Sequence, residues 1–319
     1  MAVGSRPLVP SRLTPATGVT GHGGRTTAPR TKVGAYIALT KPRIIELLLI
    51  TTTPTQVVAA RGWPGWALVI WTFIGGALAA GGANAVNMYV DRDIDALMPR
   101  TQNRPLVTGV ISPRAGLTFA ILLEALAVAL LAVTVNVLSA VLALGAALFY
   151  VFIYTIWLKR TSTRNIVVGG AAGAVPVLVG WASVTNSLGW APMMLFVAMF
   201  FWTPPHFWAL AIRYSDDYKA AGVPMLPVVE GASVTSHRMV GYTVALWAST
   251  LVFWRVADLG WLYGTSAIVL GALFTASTVN LVREPTPSRS MRVFAFSISY
   301  VTILFIAMAV DAWALGGTR

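Results

Sequence analysis

Apolar stretches long enough to cross a bilayer recur from residue 44 almost to the C-terminus, and short segments between them hold nearly all the charge. The stretches run unbroken, without the alternation of a half-buried strand, which predicts helices. A helix rises about 1.5 Å per residue, so about 20 apolar residues cross a hydrocarbon layer of ~30 Å. Inside hydrocarbon every backbone polar group needs an internal partner, which only helices or closed barrels supply, and the period-2 signature of a barrel is missing. The pattern therefore predicts an all-α integral membrane protein, a bundle of about nine transmembrane helices. The expected spans are residues 44–62, 66–90, 116–135, 137–157, 165–185, 191–212, 239–256, 261–282 and 293–314. Residues 1–34, rich in Arg, Thr, Gly and Pro, read as a disordered basic arm with no apolar run long enough for a signal peptide. Residues 35–319 read as a single polytopic membrane domain.

Composition agrees: 56% of residues are hydrophobic and 11% charged, against about 25% charged in soluble domains. A net charge of +12 could suit nucleic acid, but the basic residues lie in short loops and the N-terminal arm. Their placement points to topology and not to a nucleic-acid partner. With the N-terminus inside, 20 of the 23 Lys and Arg fall on the inner side, leaving Arg61, Arg255 and Arg319 outside. This bias predicts a multi-pass protein of the cell membrane, with a cytoplasmic N-terminus and an extracytoplasmic C-terminus. The absence of cysteine excludes disulfides, iron–sulfur clusters, thiolate zinc sites and haem attachment through C-x-x-C-H. Any metal is then held by oxygen or imidazole.

Two acidic clusters follow the second and sixth spans. In GGANAVNMYVDRDIDALMPRTQNRP, Asn87, Asp91 and Asp95 are spaced i, i+4, i+8 and share one helix face, with Asp93 roughly opposite. Carboxylates so spaced repel one another, and Mg²⁺ relieves this, because it prefers oxygen ligands and is shared between carboxylates and substrate phosphates. The competing reading is a solvated helix end. In YSDDYKAAGVPMLP, Asp216 and Asp217 lie beside Arg213 and Lys219, offering metal ligands and phosphate donors, while Gly222, Pro224 and Pro227 argue for an ordered loop. Arg43, Arg100, Arg104, Lys159, Arg160 and Arg164 lie on the same side. Arg43, Arg104 and Lys159, each adjoining a span end, are the preferred phosphate ligands. His206 in FWTPPHFWAL is an intramembrane imidazole, suited to haem iron, a proton relay or plain packing, and Pro204 and Pro205 are expected to break or kink its helix. Glu124 and Asp311, also within spans, show no obvious partner and read as structural.

At these residues the chain resembles the UbiA superfamily of intramembrane prenyltransferases, through the N-x-x-x-D-x-x-x-D stripe of Asn87, Asp91 and Asp95. It is most similar to the haem-modifying branch in the segments LTKPRIIELLLITT, NMYVDRDIDALMPRTQNRPL, YTIWLKRTSTRNIVVGGAAGAVPVLVGW and FWTPPHFWALAIRYSDDYKAAGVPMLPVV. The resemblance implies a transferase that uses Mg²⁺ and farnesyl diphosphate to prenylate a vinyl group of haem b, a step toward haem a. It implies that Asn87, Asp91, Asp95 and Asp217 are catalytic, with Asp216 as a further metal ligand. It also implies that Arg43, Arg104, Lys159, Arg213, Lys219 and His206 bind substrate. A downstream haem-modifying enzyme or terminal oxidase assembly is the implied receiver of the product. One departure stands out: the second motif of the wider superfamily has acidic residues four apart, and here Arg213 occupies the earlier place when Asp217 takes the later. The alternatives are prenylation of an aromatic quinone precursor on the same fold, and a membrane transporter. The second is disfavoured because the charges cluster at one membrane face.

Overall fold

The computed structural model describes residues 31–316. The expected arm thus falls almost wholly outside the described residues, and the first helix already begins at Lys32. Among the described residues all regular structure is helical. In chain order the helices are α1 Lys32–Thr40, α2 Pro42–Ala60, α3 Trp66–Val90, α4 Arg92–Leu97 and α5 Pro113–Thr134. There follow α6 Val137–Thr161, α7 Asn165–Thr185, α8 Trp190–Arg213, α9 Ser215–Ala220 and α10 Leu226–Val229. The last three are α11 Gly231–Val256, α12 Trp261–Arg283 and α13 Pro287–Gly316.

Eight of these are long and apolar enough to cross a membrane. With α2, which packs along α7 and α13, they form nine rods at the expected positions. Their ends differ where apolarity and hydrogen bonding part: α11 begins at Gly231 and not near 239, because the polar segment GASVTSHR continues the helical ladder beyond the apolar stretch. Of the break or kink expected at the prolines, the break does not occur. Helix α8 is unbroken through Pro204 and Pro205, as membrane helices permit when their surroundings satisfy the freed backbone groups.

Side-chain caps set the helix starts. Ser112 Oγ accepts from Ala115 N–H at 3.3 Å, ahead of Pro113 at the first position of α5, and Asn136 Oδ1 accepts from Ser139 N–H at 2.8 Å at the start of α6. Small residues then let the rods close. A Cβ on Gly180 would stand 2.6 Å from the Thr52 carbonyl oxygen, and one on Gly82 would stand 2.8 Å from Glu124 Oε2, so α2 meets α7 and α3 meets α5 at glycine. Buried Gln56 links three rods by donating to Thr72 Oγ1 at 3.1 Å and Ser183 Oγ at 2.9 Å. Apolar side chains such as Val133, 85% exposed, face outward, as lipid contact requires. Up-and-down connectivity brings the start of α2 and the ends of α3, α6 and α8 to one face of the bundle.

Candidate active site

The acidic stripe is buried, which excludes a solvated helix end: Asn87, Asp91 and Asp95 are 3%, 0% and 1% exposed. Helix α3 stops at Val90 and α4 restarts at Arg92, yet the ladder passes through the junction. Asp91 N–H donates to the Asn87 carbonyl at 2.9 Å, and Asp95 N–H to the Asp91 carbonyl at 2.8 Å. The i, i+4, i+8 face therefore survives. Asn87 Nδ2 donates to Asp91 Oδ2 at 2.8 Å and to Thr155 Oγ1 at 3.1 Å, joining α3 to α6.

Cations balance the carboxylates. Lys159 Nζ donates to Asp91 Oδ2, Arg160 Nη2 lies 3.7 Å from Asp91 Oδ1, and Arg104 Nη1 reaches Asp95 Oδ2 at 2.5 Å. Lys41 donates to Asn87 Oδ1 at 2.7 Å. Arg160 also pairs with exposed Asp93, so four cations stand against three carboxylates and leave a surplus of one positive charge, which favours an anion. Burial first, and then the neighbouring Arg104 and Lys159, hold the Lys41 ammonium well below the ordinary 10.5, against the opposing pull of Asp95 and Asp91. Its backbone is left-handed, with φ 53° between α1 and α2, a costly conformation for a side-chain-bearing residue, of the kind that collects at functional sites.

Lys159 reaches the stripe because Phe149–Leu158 of α6 is wound as a π-helix. Beside this wider backbone ladder the Thr155 hydroxyl donates to the Tyr150 carbonyl at 2.9 Å, and Thr155 and Lys159 both meet α3, at Asn87 and Asp91. Tyr150 and Tyr154 stack, with centroids 5.3 Å apart, and the Tyr154 ring lies against Gly169 of α7, where a Cβ would clash.

The other expected residues fall into separate groups. Arg100 links the clusters: its Nε lies 3.8 Å from Asp217 Oδ2, and its guanidinium sits 5.5 and 5.0 Å from the ring centroids of Tyr214 and Tyr218. Asp216 and Lys219 are exposed on α9, and Arg213 lies over the Tyr214 ring. Gly222 turns the chain at φ 66°, giving the ordered loop expected there. The Arg43 side chain lies outside the described residues. His206 is buried away from the carboxylates, bonded to Ser297 of α13. Sequence reasoning passed over Lys41, although TKPR holds two cations beside a span, and it missed the two tyrosines and Thr155. Tyr150 and Tyr154 are four apart, as are Thr155 and Lys159, but within so apolar a span such spacing reads as ordinary packing, and the approach of Thr155 and Lys159 to α3 depends on tertiary contacts.

Asp93 is the control residue of the stripe. It is exposed and takes two 2.7 Å hydrogen bonds from Arg160, which hold its carboxyl down at about 2. Asp93→Asn is expected to lower turnover less than about fivefold, the scale of a solvent-exposed ion pair, as measured by steady-state rates. A loss as deep as that of Asp91→Asn would remove the distinction between the two carboxylates.

The donor set suits a hard cation shared with substrate. Asp91 Oδ1 is buried without a hydrogen-bond partner, and the nearby oxygens come from carboxylates and an amide. Among the described residues no three acidic or imidazole groups gather on one point. A Mg²⁺ ion here would thus complete its shell from diphosphate oxygens and water.

The UbiA prenyltransferase family matches residues 48–308. The protoheme IX farnesyltransferase of Pseudarthrobacter chlorophenolicus is 53% identical over 285 residues, 88% of this chain and 89% of that protein. That of Frankia alni is 50% identical over 284 residues, 88% of this chain and 98% of its own. Among solved structures, one reported for digeranylgeranylglyceryl phosphate synthase superposes with a TM-score of 0.74 at 17% identity, covering 89% of this chain and 99% of that one. A UbiA homologue from Archaeoglobus fulgidus bound to DMAPP and Mg²⁺ gives 0.63 at 18% identity, covering 88% and 99%. The nine-rod bundle, the buried stripe and the match over most of its length together make this chain a member of the UbiA prenyltransferase family.

Proposed function

We infer that this chain transfers the farnesyl group of farnesyl diphosphate to a vinyl group of haem b, giving haem o, a step toward haem a. The observation that carries the reading is the near-50% identity, along 88% of the chain, to proteins named protoheme IX farnesyltransferase. The site supports the diphosphate half of the reaction. Lys41, Arg104, Lys159 and Arg160 bind diphosphate oxygens, while Asn87, Asp91 and Asp95 hold Mg²⁺ and Asp217 and Asp216 serve at the opposite loop. Mg²⁺ supplies Lewis-acid neutralisation of the charge that develops on the leaving group.

The bond between the allylic carbon and the diphosphate oxygen breaks, and the electron pair leaves with diphosphate. The vinyl π pair forms the new carbon–carbon bond. The cation left beside the porphyrin takes up water, which loses a proton, and a hydroxyethylfarnesyl chain remains. Fixed cations at the charged end stabilise the departing diphosphate without reorganising. The apolar interior and the Tyr150 and Tyr154 rings shelter the cation from early capture by water.

The deciding experiment incubates purified protein with haem b, farnesyl diphosphate and Mg²⁺ and looks for haem o by mass spectrometry. Prenylation of an aromatic quinone precursor with no haem o formed would overturn the haem assignment and keep the family. Lys41→Met is expected to raise KM for farnesyl diphosphate at least about tenfold, since a charge-assisted hydrogen bond contributes ~1.5–3 kcal/mol, with a smaller change in kcat. An unchanged KM would leave Lys41 a helix connector.

The membrane orientation belongs to the same proposal: a reporter fused after Arg319 is expected outside the cell and one inserted near Arg104 inside, on the strength of the basic-residue bias. Both reporters on one side would break the nine-rod topology. The product, still lipid-soluble, passes to a downstream haem-modifying enzyme or oxidase assembly.

A further inference from the structure

We propose that a groove between α8 and α11 binds an anionic phospholipid of the leaflet bordering the charged face, with its phosphate on Arg238 and Arg164 and an acyl chain against Phe201 and Gly241. The groove shares no residue with the acidic stripe or the cations around it, and its occupant does not depend on which acceptor is prenylated. Phe201, Arg238, Gly241, Tyr242 and Ala245 line a volume of about 250 Å³. One wall is aromatic: the Tyr242 ring meets Phe201 edge-on with centroids 6.1 Å apart, and Trp208 at 5.3 Å. Trp208 is itself 2% exposed, so the core backs that wall and holds it in place.

The sequence sets the depth of each part. Along α11 the polar segment GASVTSHR ends at Arg238, and the apolar run begins at Met239. Arg238 therefore stands at the edge of the hydrocarbon, the level of a lipid phosphate, and its long side chain can hold the charge in the headgroup layer. Gly241 and Ala245 follow one and two turns deeper, about 5 and 10 Å along the helix, on the path of an acyl chain. A Cβ on Gly241 would meet nothing within 4 Å, unlike one on Gly82 or Gly180, where neighbouring helices close. The small residues of α11 thus leave a furrow that no helix of the bundle fills.

Charge at the mouth selects the headgroup. Arg238 and Arg164, which immediately precedes α7, both lie within electrostatic reach of the Tyr242 phenol, whose hydroxyl makes no hydrogen bond among the described residues. Among them Arg164 likewise has no ion pair or side-chain hydrogen bond. Glu230 takes one nitrogen of Arg238, at 2.5 Å, so the three side chains keep one positive charge in surplus. Basic pockets between transmembrane helices on the cytoplasmic side, where the proposed orientation puts this face, bind lipid phosphates, and guanidinium suits a phosphate through paired hydrogen bonds. A second copy of the chain fits less well. A two-fold interface would set Arg238 against its own mate, and no acid lines the groove to separate them.

The test is native mass spectrometry of the full-length protein, stripped of lipid in mild detergent and titrated with dioleoyl phosphatidylglycerol, dioleoyl phosphatidylcholine or inorganic phosphate. Wild type is expected to hold phosphatidylglycerol at least about fivefold more tightly than phosphatidylcholine, and Arg238→Gln and Arg164→Gln each to weaken it about fivefold, the scale of one basic residue at an anionic lipid surface. Glu230→Gln, which frees Arg238, is expected to strengthen binding, whereas loss of a merely structural ion pair would not. Gly241→Leu fills the furrow and is expected to lose the lipid, with thermal unfolding and size-exclusion chromatography as checks on its fold. Equal retention of the two lipids, with both arginine variants unchanged, overturns the proposal, and so does a folded Gly241→Leu protein that binds phosphatidylglycerol normally. Displacement of the lipid by inorganic phosphate would make this a free-phosphate site, and a wild-type dimer that Gly241→Leu splits into monomers would make it an interface between copies; either result also overturns the lipid assignment.

Discussion

Asp91→Asn is expected to lower kcat for haem o formation by at least about 10²–10³-fold, the loss that follows removal of one preorganised electrostatic group at a reacting centre. Asparagine keeps the shape of aspartate and loses the charge, so the neighbouring cations stay in place while the carboxylate oxygen proposed to hold Mg²⁺ gives way to a weaker, neutral amide donor. Farnesyl diphosphate should therefore still bind, because Lys41, Arg104, Lys159 and Arg160 retain their charges. Single-turnover assays at saturating substrate across a Mg²⁺ titration, with size-exclusion chromatography as the check on folding, separate these effects. A folded Asp91→Asn protein with near-normal turnover and unaltered metal dependence would reduce the stripe to structural ion pairing.

Lys159→Met is expected to cost about 3–5 kcal/mol of stability, because it leaves the carboxylate of Asp91 uncompensated in a buried setting. Asp91 is 0% exposed, and Arg160, 3.7 Å away, is a poor substitute. The double variant Lys159→Met/Asp91→Asn removes both charges and should recover most of the stability without activity. Denaturant or thermal unfolding in mild detergent provides the comparison. If Lys159→Met alone is neutral, the charge of Asp91 is met elsewhere. If the double variant is active, neither group belongs to the chemistry. The cycle thus distinguishes an ion pair that holds helices together from a carboxylate that serves a metal.

The bundle was legible because hydrocarbon imposes so strict a rule on the chain. A run of apolar residues long enough to span has few alternatives to a helix, so the nine spans and the side on which charges gather follow from one-dimensional pattern. Asn87, Asp91 and Asp95 were legible for a related reason: their spacing sits within one ladder, and the ladder crosses the α3–α4 junction intact. Where local pattern and hydrogen bonding diverge, as at Gly231, the sequence marks the edge of apolarity and not the end of a helix.

By itself, then, the sequence determined the helical class, the rods, the charged face and the acidic stripe, since each depends on contacts within a few residues or on the demands of the bilayer. The tertiary structure alone decided which cations meet which carboxylates. Lys159 lies 68 residues from Asp91, and Lys41 lies 46 from Asn87; such distances along the chain carry no periodic signal. The π-winding that delivers Lys159, and the Ser297 hydroxyl that orients His206 across 91 residues, likewise arise only when separate helices pack, because a buried polar group takes its partner from whatever the fold brings within reach.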